Sequence, residues 1–243
     1  MIVDTISGLA SADYRHDEWG VDVAISGSQK GLMLPPGISF NALSPRALEA
    51  SRSAKLPRSF WAWDEIVEMN KDGYWPYTPN TNLLYGLSES LDMLLGEGLP
   101  QVFARHQRWG EGVRAAVRAS GLPIQCAEPA VYSPVLTGVI TPAGVDADAL
   151  RRLIHERFDL SLGTGLGKVK GRMFRMGHLG DSNDLTLVAM VAAVEMGLKL
   201  MGVKVAGSGV HAVMDHFAGH APAHAAAAPL ERTAPPQPLQ QAA

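Results

Sequence analysis

Val21-Asp-Val-Ala-Ile-Ser-Gly-Ser-Gln29-Lys30-Gly-Leu-Met-Leu-Pro35-Pro36-Gly37 is the stretch that sets the fold. Residues 21–25 form an apolar, β-prone run that ends in small residues, the pattern of a strand giving way to a loop. A single lysine follows, and then a stiff Pro-Pro-Gly turn. Lysine ordinarily carries its ammonium into bulk water. Here it stands among Ser, Gly, Leu, Met and Pro. Apolar surroundings disfavour the ammonium and favour the free amine, which attacks a carbonyl to form a Schiff base. The other reading is a surface lysine in a strand-to-loop turn.

Asp4 gives Lys30 a partner. The chain opens Met1-Ile-Val-Asp4-Thr-Ile-Ser-Gly-Leu, a short apolar run that reads as a buried parallel strand ending at the aspartate. Functional side chains in parallel sheets gather at the carboxyl ends of strands, so Asp4 and Lys30 are expected at such ends on neighbouring strands. An aspartate that keeps a pyridine nitrogen protonated, together with a lysine that carries the ring as an imine, is the minimal kit for pyridoxal phosphate chemistry. A helix N-cap or turn role for Asp4 is the alternative.

The chain has 243 residues and a net charge of −3. Its length allows one domain and part of another, with ample apolar content for a core, and the charge gives no basic footprint for nucleic acid. Cys126 is the single cysteine, so no intrachain disulfide forms and a cytoplasmic, reducing compartment is expected. No secretory leader is expected, and no run of about twenty apolar residues for a membrane span. The apolar residues 185–200 are interrupted by Glu195 and Lys199 and read as a helix on a core.

Punctuation divides the chain further. Residues 1–40 read as strand, loop, strand, turn, strand, the last over 38–41. Ser44-Pro45 starts a short helix to about Ser51, and residues 56–72 read as irregular and aromatic-rich. A helix over 80–95 places Leu83, Leu84, Leu87, Leu91 and Leu94 on one stripe. Gly98 ends it, and Leu99-Pro100 opens another to about Ser120, with Val102, Phe103, His106, Val113 and Val117 inward. A strand over 135–141, a helix over 147–158 capped by Asp146, a strand over 173–176 and a helix from about 182 to 200 then read as a small α/β domain. The expected division is 1–97, 98–205 and a tail over 206–243. That tail reads as a helix to about Phe217 and then a disordered end. His211, His216, His220 and His224 recur in it at helical spacing, but the Ala- and Pro-rich setting offers no support for a metal, and none is expected. Gly163-Thr-Gly-Leu-Gly-Lys168 is not a phosphate loop. Leu162 stands where the first glycine is needed, and Val169 where Ser or Thr is needed.

Five motifs carry a family resemblance: Val3-Asp4-Thr-Ile-Ser-Gly-Leu, Asp13-Tyr-Arg-His-Asp-Glu-Trp-Gly-Val-Asp22, Gly27-Ser-Gln-Lys30-Gly-Leu-Met-Leu-Pro-Pro-Gly37, Tyr77-Thr78-Pro79 and Arg175-Met-Gly-His-Leu-Gly180. In this order, over most of the chain to about residue 205, they resemble the class V (fold type I) pyridoxal-phosphate aminotransferases, most nearly the serine–glyoxylate branch. The resemblance implies an α/β fold with a mostly parallel large-domain sheet and a small C-terminal α/β domain, pyridoxal 5'-phosphate as cofactor, and a homodimer. It implies that Lys30 carries the cofactor and moves the substrate proton, and that Asp4 pairs with the pyridinium nitrogen. Gln29 and Thr78 are implied to hold the phosphate, Thr78 from a second subunit, and Arg175 to bind the substrate α-carboxylate. The implied reaction converts serine and glyoxylate to hydroxypyruvate and glycine, with an alanine–glyoxylate enzyme as the alternative. Cysteine desulfuration is disfavoured, because Cys126 lies in no matching motif. The family's large domain begins well before Asp4 and carries the phosphate-cradling helix N-terminus and the ring-stacking aromatic. The chain is therefore expected to be the C-terminal part of such an enzyme, with an uncovered sheet edge and weak or absent catalysis in isolation. A non-catalytic fragment is the third reading.

Overall fold

A computed structural model describes residues 1–221. Strand β1 (Ile2–Asp4) pairs in parallel with β2 (Val23–Gly27), with Asp4 opposite Ile25. β2 pairs antiparallel with β3 (Ser39–Leu43), with Gly27 opposite Ser39. The order β1-β2-β3 therefore contains one parallel and one antiparallel pairing, where a mostly parallel sheet was expected. The turn after Lys30 is the reason: β3 begins only twelve residues after Gly27 and no helix intervenes, a connection that folds the chain straight back on itself. β2 and β3 each end two residues later than the sequence pattern suggests.

Four helices follow. Ser44 caps α1 (Pro45–Arg52) by accepting the Ala47 N–H at 3.1 Å, with Pro45 in the first turn. α2 (Trp63–Asn70) lies inside the stretch expected to be irregular. None of its residues is buried, so no apolar stripe announces it. Asp64 and Glu65 in its first turn suit the positive end of the helix dipole. Asn80 caps α3 (Thr81–Glu97), and Gly98, at φ 89, turns the chain into α4 (Leu99–Ala119). The α3 stripe is narrower than expected: Leu83 and Leu94 are buried while Leu91 is 40% exposed.

The second sheet has the order β4-β6-β5, built from β4 (Leu136–Ile140), β5 (Gly163–Thr164) and β6 (Met173–Gly177), and both its pairings are antiparallel. Asp146 caps α5 (Ala147–Phe158), an Asn183–Thr186 capping box starts α6 (Asp184–Leu200), and Ser208 caps α7 (Gly209–Gly219). One core joins Trp109, Val139, Ile154, Phe174, Leu198 and Phe217. α7, expected to begin the tail, thus belongs to this core through Val213 and Phe217. Glu195 fixes it there, accepting the Ser208 hydroxyl at 3.0 Å and the Val210 N–H at 3.3 Å. A second cluster joins Ala10, Leu32, Leu94 and Val102. α4 therefore packs its first turns against the Lys30 region and its last turns into the other core. The expected disorder at the end of the chain, and His224, lie outside the described residues. Among the described residues no helix is long and apolar enough to cross a membrane, and no group of three metal-ligating side chains comes together. His216 and His220 instead stack at 4.3 Å, and His216 Nε2 meets the Arg108 carbonyl at 3.1 Å.

Candidate active site

The Lys30 turn is built around Ser28, which is wholly buried. Its hydroxyl donates to the Pro35 carbonyl at 2.7 Å and accepts the Ile38 N–H at 3.2 Å. Its backbone N–H donates to the Ile38 carbonyl, and its carbonyl accepts from Leu34 N–H. The Met33 N–H donates to the Lys30 carbonyl at 2.9 Å. Ser28 thus closes residues 28–38 into one rigid loop with Lys30 half-buried at its head and Gln29 exposed beside it. The loop after β1 packs against its flank. A Cβ on Gly31 would meet the Leu9 carbonyl oxygen at 2.1 Å and Ser11 Oγ at 2.4 Å, so only glycine fits. On either side of this contact a non-glycine residue is left-handed, Ala10 at φ 57 and Met33 at φ 61. Such strain persists only where the surroundings dictate it.

Asp4 ends β1. Its Oδ1 accepts the Ile6 N–H at 2.8 Å, which orients the carboxylate, and Thr5 next to it donates both N–H and hydroxyl to the Ile25 carbonyl. Asp4 therefore stands at the carboxyl end of β1 and Lys30 just beyond that of the adjacent parallel strand β2. At the strand's other end, Asp22 is held by the Arg46 guanidinium at 2.7 and 2.8 Å and by Ser44, and these contacts keep its carboxyl well below the usual range.

Arg175 lies at the middle of β6, between the buried Phe174 and Met176. Alternation along the strand turns its side chain away from the core. That side chain crosses Gly163 on the neighbouring strand, where an added Cβ would meet Arg175 Nε at 3.0 Å. Nε donates to the Thr164 carbonyl at 2.8 Å. Nε is thus engaged by one backbone contact, and neither terminal nitrogen hydrogen-bonds within the described residues, which leaves a fork suited to a carboxylate. Thr78 is exposed in the connection between α2 and α3 and makes no side-chain hydrogen bond with Asp4, Gln29 or Lys30. Within one chain, then, the fold gathers Asp4, Gln29 and Lys30 at one sheet end and leaves Thr78 on the surface.

Two buried histidines not marked by the sequence as functional hold the chain just after β6. His178, wholly buried, receives the Thr137 hydroxyl at Nε2 (2.9 Å) and meets the Pro134 carbonyl with Nδ1 (3.0 Å). Burial, and then the nearby Arg114, push its pKa down to about 4. His106 of α4 meets the Val102 carbonyl with Nδ1 at 2.8 Å and accepts the Gly180 N–H at Nε2 at 3.1 Å. Because a carbonyl only accepts and an amide only donates, the proton sits on Nδ1. Burial lowers the His106 pKa as well. His106 was legible as an inward residue and His178 lay inside a quoted motif. Their contacts span 41 and 44 residues for His178 and 74 for the His106–Gly180 bond, which no local pattern reveals.

No family model matches the chain. Among curated proteins, the serine–glyoxylate aminotransferase of Arabidopsis thaliana is 44% identical over 224 residues, covering 91% of this chain and 56% of the relative. The L-aspartate–glyoxylate aminotransferase of Paracoccus denitrificans is 44% identical over 219 residues, covering 89% and 55%. Among solved structures, pyridoxamine–pyruvate aminotransferase from Mesorhizobium loti superposes with a TM-score of 0.81 at 30% identity, covering 90% of this chain and 57% of that one. The fold is that of the fold type I pyridoxal-phosphate enzymes. The chain is a homologue of their class V aminotransferases, and it spans about half the length of the curated relatives it matches.

Proposed function

We propose that the protein to which this chain belongs transfers an amino group from an amino acid, serine in the first instance, to glyoxylate, with pyridoxal 5'-phosphate as cofactor. The observation that carries this reading is the joint position of Asp4 at, and Lys30 just beyond, the carboxyl ends of adjacent parallel strands. The donor set fits the cofactor at two points: an amine for its aldehyde and a carboxylate for its ring nitrogen. For its phosphate the same sheet end offers Gln29, and Thr78 serves from a neighbouring subunit. When bound, the cofactor supplies an electrophilic carbon for the amino group and a ring that accepts an electron pair.

The chain's own residues do the rest. Lys30 holds the cofactor, then as a free amine takes the substrate α-proton and returns it. Asp4, kept in place by the Ile6 N–H, holds the proton on the ring nitrogen. Arg175 binds the α-carboxylate with the two nitrogens left by its Thr164 contact. The homodimer reading is supported by large apolar side chains left exposed after α1 and on α3, Leu56 at 83%, Trp61 at 80% and Tyr85 at 79%. The single cysteine supports a cytoplasmic setting.

The test is product formation. With pyridoxal phosphate and glyoxylate present, the protein is expected to yield hydroxypyruvate and glycine from serine faster than pyruvate from alanine. Faster turnover of alanine moves the assignment to the alanine branch. Formation of no glycine from any amino donor overturns it.

A further inference from the structure

We propose that Arg105 and His106 are positioning residues which, through the backbone N–H and C=O of Gly180, set the separation between the Lys30 turn and the strand that carries Arg175. The proposal rests on the reading of Lys30 and Arg175 given above.

Gly180 is buried in the connection between β6 and α6, at φ 77. Both of its backbone groups are held by consecutive residues of α4. Its N–H donates to His106 Nε2 at 3.1 Å, and its carbonyl accepts from Arg105 Nη1 at 2.8 Å. Neither holder is free to follow a moving loop. His106 is fixed at its other nitrogen by the Val102 carbonyl. Arg105 is gripped by Glu97 through two bonds of 2.7 Å and lies over the Trp109 ring at 4.6 Å. A glycine whose N–H and C=O are both held by side chains that are themselves held cannot translate without breaking one of these hydrogen bonds.

Gly180 also faces the Lys30 turn. A Cβ built on it would lie 3.7 Å from the Lys30 carbonyl oxygen and 3.7 Å from Met33 Cγ. On the other side of that turn, the Ser90 hydroxyl of α3 donates to the Leu32 carbonyl at 2.5 Å. The turn is therefore seated between α3 and Gly180, and Gly180 stands five residues beyond Arg175 on the same run of chain. The α3–α4 corner consequently fixes both ends of the space an α-amino acid has to bridge, its amino end at Lys30 and its carboxylate end at Arg175. Loosening the Gly180 peptide leaves the lysine able to hold a molecule attached at one end only. It penalises a substrate that must be gripped at both ends.

Two measurements on the full protein test this. Hydrogen exchange needs no cofactor. The Gly180 amide is expected to be protected, to lose at least about tenfold of that protection in His106→Leu, and to keep it in His106→Gln, whose carbonyl can still accept. An unprotected Gly180 amide, or no change in His106→Leu, overturns the clamp. In the second measurement, His106→Leu and Arg105→Met are expected to raise the KM for the amino acid about tenfold, with kcat changed far less and the Lys30–cofactor absorbance retained, since small misplacements weigh heavily on two-point binding. His106→Gln restores the KM. A uniform loss of absorbance and kcat, or an unchanged KM, overturns the positioning role. Absence of a Lys30–cofactor adduct in the unsubstituted protein overturns the functional reading and the positioning role with it, while the exchange result still decides the clamp alone.

Discussion

Replacing Gly31 by alanine should disrupt the Lys30 turn more than any other single-methyl change in the first sheet's loops. The added Cβ would sit 2.1 Å from the Leu9 carbonyl oxygen, 2.4 Å from Ser11 Oγ and 3.0 Å from the Ala10 carbonyl carbon, the first more than 1 Å short of ordinary contact. Two of these three atoms are backbone, so no rotamer change makes room. The opposing backbone is itself held, by Leu9 N–H to the Thr5 carbonyl at 3.0 Å and Ser11 N–H to the Gly8 carbonyl at 3.0 Å. Overpacking of this kind costs about 1–3 kcal/mol. Alanine's smaller unfolded-state entropy offsets only about 0.4–1 kcal/mol. A net loss of roughly 1.3 kcal/mol follows, which at a urea dependence of about 2 kcal/mol/M lowers the midpoint by about 0.6 M. Gly96→Ala is the control. It lies near the exposed end of α3 with nothing within 4 Å of its added Cβ, and it should stabilise by about 0.5–1 kcal/mol. Urea melts followed by circular dichroism measure both. A Gly31→Ala midpoint equal to or above that of Gly96→Ala refutes the packing argument.

His178 and Glu195 give opposite kinds of charge to the same acid test. His178 has a folded pKa of about 4 against an ordinary 6.5, so the fold prefers the neutral ring. Its contribution is complete above pH 6.5 and is lost as pH falls toward 4, by up to about 3 kcal/mol, and His178→Gln should flatten stability over that window. Glu195 is held below the usual carboxylate range, first by Lys199 and then by the Val210 N–H and Ser208. Its stabilisation is full at neutral pH and is lost as pH drops through the carboxylate range. Glu195→Gln should cost about 1 kcal/mol at pH 7 and speed hydrogen exchange in residues 209–219 ahead of the rest of the second core. Trp61→Ser should weaken self-association in sedimentation velocity while leaving the thermal midpoint within about 2 °C, because an exposed side chain contributes little to the protomer.

The parts of the fold that were legible are those where a local pattern meets a local cause. Asp146, Asn80 and Ser44 announce their helices because each side chain caps the first turn directly. Asp4 and Lys30 were recognisable as strand-end residues because an apolar run stops just before each. α2 was invisible because it buries nothing, and an apolar period exists only where a face is buried. The antiparallel turn into β3 was missed because the sequence shows a strand but not its partner's direction. The Gly180 connection and the Arg114–His178 neighbourhood depend on contacts between α4 and the segment that follows β6. Nothing in the run around His106 states that its ring will accept an amide 74 residues away. Arg175 was legible as a residue, but the Gly163 and Thr164 contacts that orient it were not.

The central claim is that Lys30 is the residue that takes up the cofactor. The most direct measurement is to incubate the protein with pyridoxal phosphate, reduce the imine with borohydride, digest, and locate the added mass by peptide sequencing. A single modified site is expected at Lys30, abolished in Lys30→Ala and weakened in Asp4→Asn. Modification spread over other lysines, or none at Lys30 while the rest react, contradicts it.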